Sequence, residues 1–318
     1  DPRNVSNPLY APNLQRAREE GRKTKVASVA DQVKRGDRHL LLGIDFEDDF
    51  MPHGRLPVNG SYEDVVRFSE RLIRGVYEEH DTDYMFTFDK HPPHVIHGDS
   101  WYADEFGNPP NLALPVTMTL DDPNHKKPAF KCNYLDGSPS KIFFPTTMRK
   151  HTVKYWNHLN ATGQGDIWVF TSHCREGTNG INLPGALIEL IEWASAARSI
   201  QPIYLYKGMI AEVDWFGPFR PCMDVPSHPQ GGLQTQYLDI IKSCKTTDIA
   251  GEAEDFCVNW GVRQVLDYFG KEPDVLKSIR FIGVCTSAIV PGSPVVKDLH
   301  DLMKKSGVKV IKHDEPFA

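Results

Sequence analysis

The sequence predicts an α/β fold: a three-layer α/β/α sandwich around a mostly parallel, doubly wound six-stranded sheet of Rossmann-like type. Two observations predict it. Short continuous apolar runs, such as His39-Leu-Leu-Leu-Gly-Ile-Asp45 and Tyr84-Met-Phe-Thr-Phe-Asp89, suit strands buried on both faces. Between such runs lie stretches with apolar residues at three- to four-residue steps, such as Val65, Phe68, Leu72 and Val76, which give a helix one buried stripe. Strands alternating with helices make a parallel sheet covered on both faces. Sheets of this kind gather their chemistry outside the carboxyl ends of their strands.

The elements follow in order. Residues 1–38 are polar and charged. They read as an N-terminal arm with helical composition over 14–36 but no strong apolar face, either a surface extension or a grip on a second subunit. Residues 39–318 read as one domain. After the first strand, 61–80 is a helix, with Ser61 and Asp64 placed to cap it. The strand ending at Asp89 follows. Residues 92–166 then break the alternation with frequent Pro and Gly among charged and aromatic residues, and only 148–159 reads as a helix. The segment at about 98–166 is therefore expected to be an insertion packed over the site. Alternation resumes with a strand at Ile167-Trp-Val-Phe-Thr, a helix over 185–199 and a strand ending at Lys207. A helix over 238–244 and a strand over 246–251 lead into Cys257. A helix over 257–270, a strand from Ile279, a helix over 296–305 and a short strand over 308–311 complete the chain.

Composition narrows the function. With 36 basic and 42 acidic residues, the chain has no charge excess to drive nucleic-acid or membrane-surface binding. No apolar run approaches the ~20 residues of a membrane span. Six scattered cysteines without a Cys-x-x-Cys pair read as reduced thiols, so a cytoplasmic location is expected. Neither Gly-x-Gly-x-x-Gly nor Gly-Lys-Ser/Thr occurs, which leaves nucleotide binding without a motif.

Chemistry gathers at the strand ends. Cys257 falls at a strand-to-helix junction, where unpaired N–H groups and the helix dipole favour a thiolate and can hold an oxyanion. Asp45 and Lys207 end two other strands. A nucleophilic thiol needs a base and a positive field, and an acid and a lysine supply them. Each alone has a plainer reading: a helix cap, a solvated lysine, a small buried hydrophobe. The signal lies in the three meeting at one sheet edge. Asp89-Lys-His91-Pro-Pro-His94-Val-Ile-His97 forms a second group. One carboxylate and two imidazoles can hold a cation and leave positions open, as in zinc and non-haem iron sites. Asp89 and His91 begin that set, and His94, His97 and His173 compete for the second imidazole.

These stretches resemble the isochorismatase-like cysteine hydrolases, in particular their nicotinamidase branch. Ile44-Asp45-Phe-Glu-Asp-Asp-Phe50 with Leu56-Pro-Val-Asn-Gly60 is similar to the family's opening. Phe88-Asp89-Lys-His91-Pro resembles its Asp-Trp-His-Pro, and Phe170-Thr-Ser-His173-Cys-Arg-Glu-Gly-Thr178 its Trp-Pro-x-His-Cys-x-x-Gly-Thr. Lys207-Gly with Glu212-Val-Asp-Trp-Phe216-Gly-Pro-Phe219 matches the Lys-Gly…Glu-Val-Asp-x-Tyr-Ser-x-Phe segment. Gly251-Glu-Ala253-Glu-Asp-Phe-Cys257-Val matches Gly-x-Ala-Thr-Asp-Tyr-Cys-Val. The five motifs stand in the family's order and cover roughly 39–97 and 167–312.

The resemblance implies a catalytic triad of Asp45, Lys207 and Cys257 and metal ligands Asp89, His91 and His173. It implies an oxyanion hole of the Ala253 and Cys257 N–H groups beside a cis Glu252–Ala253 bond. Phe50, Phe170 and Phe216 would be substrate contacts, and a divalent ion would be bound, zinc first with iron or manganese as alternatives. The implied reaction is hydrolysis of a carboxamide, nicotinamide foremost, to a carboxylate and ammonia through a thioester. Its rivals are another amidase of the family, acting on a carbamoyl, ureido or larger substrate, or a non-catalytic relative. The expected partner is a small amide, with no nucleic acid or membrane, in a homo-oligomer. Departures from the pattern are the insertion, Lys90 and Phe170 for Trp, Phe216 for Tyr, Glu254 for Thr, and Thr286 where the family often has Asp.

Overall fold

The structure is a computed structural model and describes residues 10–124 and 126–311. Six strands, β1 (His39–Ile44), β2 (Asp83–Asp89), β8 (Ile203–Lys207), β9 (Thr246–Gly251), β10 (Ile279–Ile282) and β11 (Lys309–Ile311), form the central sheet. Its order is β11-β10-β9-β1-β2-β8, and every neighbouring pair is parallel. The apolar runs are continuous because both faces are covered. Leu41 and Phe86 pack under α3 (Ser61–Tyr77) and α5 (Gly185–Arg198). Leu40, Leu42, Ile44 and Met85 pack against the other layer, α6 (Thr235–Ser243), α7 (Cys257–Tyr268) and α9 (Pro294–Ser306). The short α8 (Pro273–Ser278) leads into β10. The fold class is the predicted three-layer α/β/α sandwich.

The chain starts at the middle of this sheet, runs outward through β2 to β8, then crosses back to β9 on the other side of β1. The strand order therefore reverses between β1 and its neighbours. A crevice opens there at the carboxyl ends.

The insertion differs from the sequence reading. Residues expected to be irregular hold β3 (Tyr102–Ala103), β4 (Val116–Asp122), β5 (Ala129–Tyr134) and β6 (Lys141–Pro145), followed by α4 (Arg149–Ala161). The run at Ile167 does not enter the central sheet. It is β7 (Ile167–Val169), paired antiparallel with β4 through Val116↔Val169 and Met118↔Ile167, and it closes a five-stranded sheet of order β3-β6-β5-β4-β7. These strands are half-buried, so polar residues alternate with apolar ones and leave no continuous run to read.

Two smaller expectations also change. Ser61 does not cap α3: Gly60 holds the cap position with φ 103, and Ser61 Oγ donates to the Phe50 carbonyl (2.8 Å). The arm forms α1 (Leu14–Lys23) and the short α2 (Ala30–Lys34). α1 lies along its own chain's α5, and its buried face is small rather than apolar, built on Ala17 and Gly21. A Cβ on Gly21 would lie 2.4 Å from the Trp193 carbonyl, so the close approach of the two helices requires glycine.

A buried ion cluster ties α3 to the strands. Arg71 holds both Asp81 oxygens at 3.0 Å and Asp248 on β9 at 2.6 Å, and Arg280 on β10 reaches the other Asp248 oxygen. Burial pushes Asp81 up, but Arg71 overcomes it and holds the carboxyl down at about 2. A depressed carboxyl stabilises the fold above its ordinary range, so this contribution is complete above about pH 4 and is lost as the pH falls toward 2. Arg71→Met takes the arginine from buried Asp81 and leaves Asp248 with Arg280 alone, and is expected to cost about 3–5 kcal/mol at neutral pH. Urea unfolding of the variant checks it, and a loss under 1 kcal/mol would contradict the cluster's role.

Candidate active site

Four strand ends place the candidate groups. Asp45 follows β1 directly, Asp89 ends β2, Lys207 ends β8, and Cys257 opens α7 beyond β9. Register does the positioning, because Asp89 on β2 is paired directly with Lys207 on β8. Asp45 takes φ 51, a left-handed conformation that a non-glycine residue adopts at some cost and that recurs at functional sites.

Lys207 is 1% exposed and lies between two carboxylates, with Nζ 2.7 Å from Asp89 Oδ1 and 3.2 Å from Asp45 Oδ2. Burial alone would lower its pKa, yet Asp45 and Asp89 raise it well above the usual lysine range. Asp45 also accepts a hydrogen bond from Thr87 Oγ1. Its carboxyl is raised, by burial first and by Asp89, against the pull of Lys207. Cys257 Sγ lies within 4.8 Å of carboxylate oxygens of both Asp45 and Asp89. Burial and those carboxylates push the thiol well up, and Lys207 pulls it down. The Glu252–Ala253 bond is cis, and Ala253 and Cys257 both line the cavity.

The candidate cation ligands meet beside this group. His91 Nε2 is 2.9 Å and His173 Nε2 3.6 Å from Asp89 Oδ2, and the three ligand atoms lie within 4.8 Å of one another. Each imidazole donates its other ring nitrogen to a backbone carbonyl, His91 Nδ1 to Gly208 (3.2 Å) and His173 Nδ1 to Thr171 (2.8 Å). That leaves both Nε2 lone pairs turned inward, the orientation a cation needs. His91 Nε2 is buried with no hydrogen-bond partner. Gly208, at φ 75, keeps the space open: a Cβ there would lie 2.7 Å from Asp89 Oδ1 and from the His91 ring. The set fits a divalent ion. Among the three competing histidines, His173 joins it, brought in by backbone bonds from His91 N–H to the Cys174 carbonyl and from Glu176 N–H to the His91 carbonyl. His94 instead stacks on Trp101 and reaches Ser100.

Lys207 and Cys257 of the first group and Asp89, His91 and His173 of the second line one cavity. Phe50 and Phe170 line it, with rings 5.6 and 5.8 Å from His173, and Phe216 lines it while stacked on Trp260. The departures from the family pattern have local explanations. Lys90 pairs with Glu176 and lies over Tyr206, and Glu254 binds His300. Thr286 Oγ1 accepts from the Gly251 N–H.

Sequence reasoning missed several groups. Glu47 is fully buried and accepts the Asp89 N–H. Asp49 Oδ2 accepts the Cys174 N–H (2.6 Å) and fixes the turn after His173. Only the density of acids over Asp45–Asp49 signalled them. Phe256, His97 and Asp214 also line the cavity. The insertion braces that wall through α4: His151 donates to the Glu212 carbonyl, Tyr155 Oη accepts the Asp214 N–H, and His158 donates to the Cys222 carbonyl.

No protein-family model and no curated protein sequence matches the chain. Solved structures do. The yeast nicotinamidase Pnc1p aligns at TM-score 0.51 and 15% identity, over 86% of this chain and 99% of that one. A nicotinamidase/pyrazinamidase from Acinetobacter baumanii aligns at TM-score 0.49 and 17% identity, over 87% and 97%. At these identities the likeness is one of fold. Among the described residues no helix is long and apolar enough to cross a membrane.

Exposure predicts which thiol reacts first. Cys257 is partly exposed and the other five cysteines are buried, so iodoacetamide is expected to modify Cys257 first. Lys207→Met removes the cation that favours the thiolate and should slow that modification at neutral pH by about tenfold or more. Mass spectrometry of timed samples reads it, and an unchanged rate in the folded variant would remove Lys207 from the thiol's environment.

Proposed function

We propose that the chain is a cysteine amidohydrolase that converts a carboxamide to a carboxylate and ammonia through a thioester on Cys257, with nicotinamide as its foremost substrate. One observation carries the reading: Lys207 and Cys257, with Asp45 against Lys207, share a single aromatic-walled cavity with Asp89, His91 and His173. The family motifs in the sequence and the fold shared with a yeast nicotinamidase support the same substrate class.

The steps follow from the positions. Asp45 takes the Cys257 proton while Lys207 stabilises the thiolate. Sulfur adds to the amide carbon, and the N–H groups of Ala253 and Cys257 hold the oxyanion. The C–N bond breaks as Asp45 returns its proton to nitrogen, releasing ammonia and leaving a thioester. Asp45 then takes a proton from water, whose oxygen adds to the thioester carbon. The C–S bond breaks and the sulfur is reprotonated. Phe50, Phe170 and Phe216 would hold a flat ring between them. A divalent cation held by Asp89, His91 and His173, zinc first, would supply positive charge beside the thiol and a Lewis-acid position for a ring nitrogen.

Cys257→Ala should lower ammonia release from nicotinamide by at least ~10³-fold while leaving divalent-cation binding intact. Prior removal of the cation by a chelator should also abolish release, and re-addition should restore it. Turnover surviving in Cys257→Ala would overturn the thioester. Turnover indifferent to the chelator would overturn the cation's part.

A further inference from the structure

Two carboxyl groups meet inside the protein, behind the loop that carries Ala253 and Cys257. Asp64, in the first turn of α3, is 2% exposed, and Glu252, the residue after β9, is 0% exposed. The Glu252 carboxyl is hydrogen-bonded to that of Asp64. Ionised carboxylates only accept, so a bond between two of them requires a proton on one. Asp64 Oδ2 and Glu252 Oε1 take no bond from an N–H or a hydroxyl, which leaves the shared proton to satisfy them. Among the described residues their one ion pair is with Arg67, whose Nη1 lies 3.6 Å from Asp64 Oδ1; that side chain is 44% exposed and also donates to the Val284 carbonyl. The other titratable groups nearby bring no positive charge to the pair. Glu63 and Glu254 are acids, His300 is held by Glu254, and the Cys285 thiol is itself pushed up by burial and by Asp64. Two carboxylates in contact without a buried cation cannot both ionise.

The loop is fastened at this point. Ser287 N–H donates to Glu252 Oε2 (3.4 Å), and Glu254 N–H donates to the Ser287 carbonyl (2.7 Å). Glu252 N–H donates to the carbonyl of Ile44 (2.8 Å), the residue before Asp45. Gly60 allows the approach of α3: a Cβ there would lie 2.4 Å from Ser287 Oγ and 3.7 Å from Asp64 Oδ2. Farther along, Asp255 accepts the Ile289 and Val290 N–H groups. Ala253, Phe256, Cys257 and Ile289 all line the candidate cavity. The carboxyl pair thus ties α3 to the start of the segment that delivers the thiol.

We infer that Glu252 and Asp64 share one proton, and that this bond is a positioning contact that holds the 252–257 loop with Ala253 and Cys257 at the cavity. The positioning role rests on the amide hydrolysis proposed above; the shared proton does not. Neither residue touches the reacting atoms. The proton carries a thermodynamic sign. Burial raises both carboxyls, and Asp64 raises Glu252 further. An acid raised in the folded state contributes fully below its unfolded value of ~4.3, and that contribution is lost as the pH rises from there to the folded value. Over this window the proton costs the folding constant about tenfold per pH unit. Glu252→Gln keeps a donor for Asp64 and has no proton to lose, so it escapes the cost. An ordinary structural hydrogen bond would instead weaken the variant by the same factor at every pH.

Urea unfolding of the full chain across about pH 5–8 reads the proton. The folding constant of Glu252→Gln divided by the native one should rise about tenfold per pH unit until it levels off. A ratio flat with pH would overturn the shared proton. Positioning is read by ammonia release from nicotinamide and by the pH profile of Cys257 alkylation. Glu252→Leu and Asp64→Ala break the bond from either side. In both, kcat should fall about tenfold or more with KM changed less. The midpoint of the alkylation profile should move by at least about half a unit, because the thiol shifts relative to Lys207 and Asp45. Glu252→Gln should bring kcat back to within about threefold of native and restore the midpoint. Native kcat and midpoint in both bond-breaking variants would overturn the positioning role. A native chain that releases no ammonia would overturn the hydrolysis reading, while unfolding and alkylation still decide the pair.

Discussion

A lysine with 1% exposure cannot stay charged inside a protein unless its partners are already in place, and Lys207 depends on two of them. Asp45 and Asp89 end adjacent strands, and Lys207 comes from a third. The Asp89↔Lys207 register is what brings the charges together. A slip of one residue along β8 would turn Lys207 to the opposite face of the sheet and leave both acids buried and uncompensated. The sheet and the site therefore enforce one another. The ion group makes the register costly to change, and the register makes the ion group possible. Lys207 also joins the two halves of the candidate site, because one of its carboxylates faces the thiol and the other faces the histidines.

How much of this was legible in the sequence depended on where each element is buried. β1, β2 and β9 are covered on both faces, so they read as unbroken apolar runs whose ends point to chemistry. Asp45, Lys207 and Cys257 could be placed at one sheet edge from that pattern alone. β4 to β6 are half-buried in a small antiparallel sheet, and their alternation is too short and too interrupted by Pro and Gly to stand out. The three-residue β7 looked like a central strand because it is apolar, but the edge of β4 was its nearer partner. α1 was hidden for a different reason. Its buried face is made of alanine and glycine, which allow close approach to α5 but carry no hydrophobic period. The pairing of His97 with Asp214 had no signal in the sequence, because only long-range folding brings His97 Nδ1 and Asp214 Oδ1 3.4 Å apart.

The insertion supplies more than bulk. Through His151, Tyr155 and His158, one face of α4 bonds the backbone of the 212–222 segment at three points. That segment contributes Asp214, Trp215 and Phe216 to the cavity wall. A loop that would otherwise choose among conformations is held in one, so the groups it presents need no ordering when a ligand arrives. The position of α4 then bears on the shape of the pocket without α4 lining it.

Several features that break local rules lie at this crevice. Asp45 is left-handed, Glu47 is a fully buried acid, the thiol and two carboxylates crowd one cation, and Asp214 and His97 keep unpaired atoms. One ion cluster away from the crevice is better matched: Arg71 satisfies Asp81 and Asp248, and Arg280 shares the latter. A chain able to build that second cluster could also have paired the first. Its failure to do so at the carboxyl ends of β1, β2, β8 and β9 is a cost in stability borne at that crevice. Ligands that enter the crevice would satisfy these groups. Unpaired groups of this kind suit a crevice that takes up a ligand, and a packed core has no use for them.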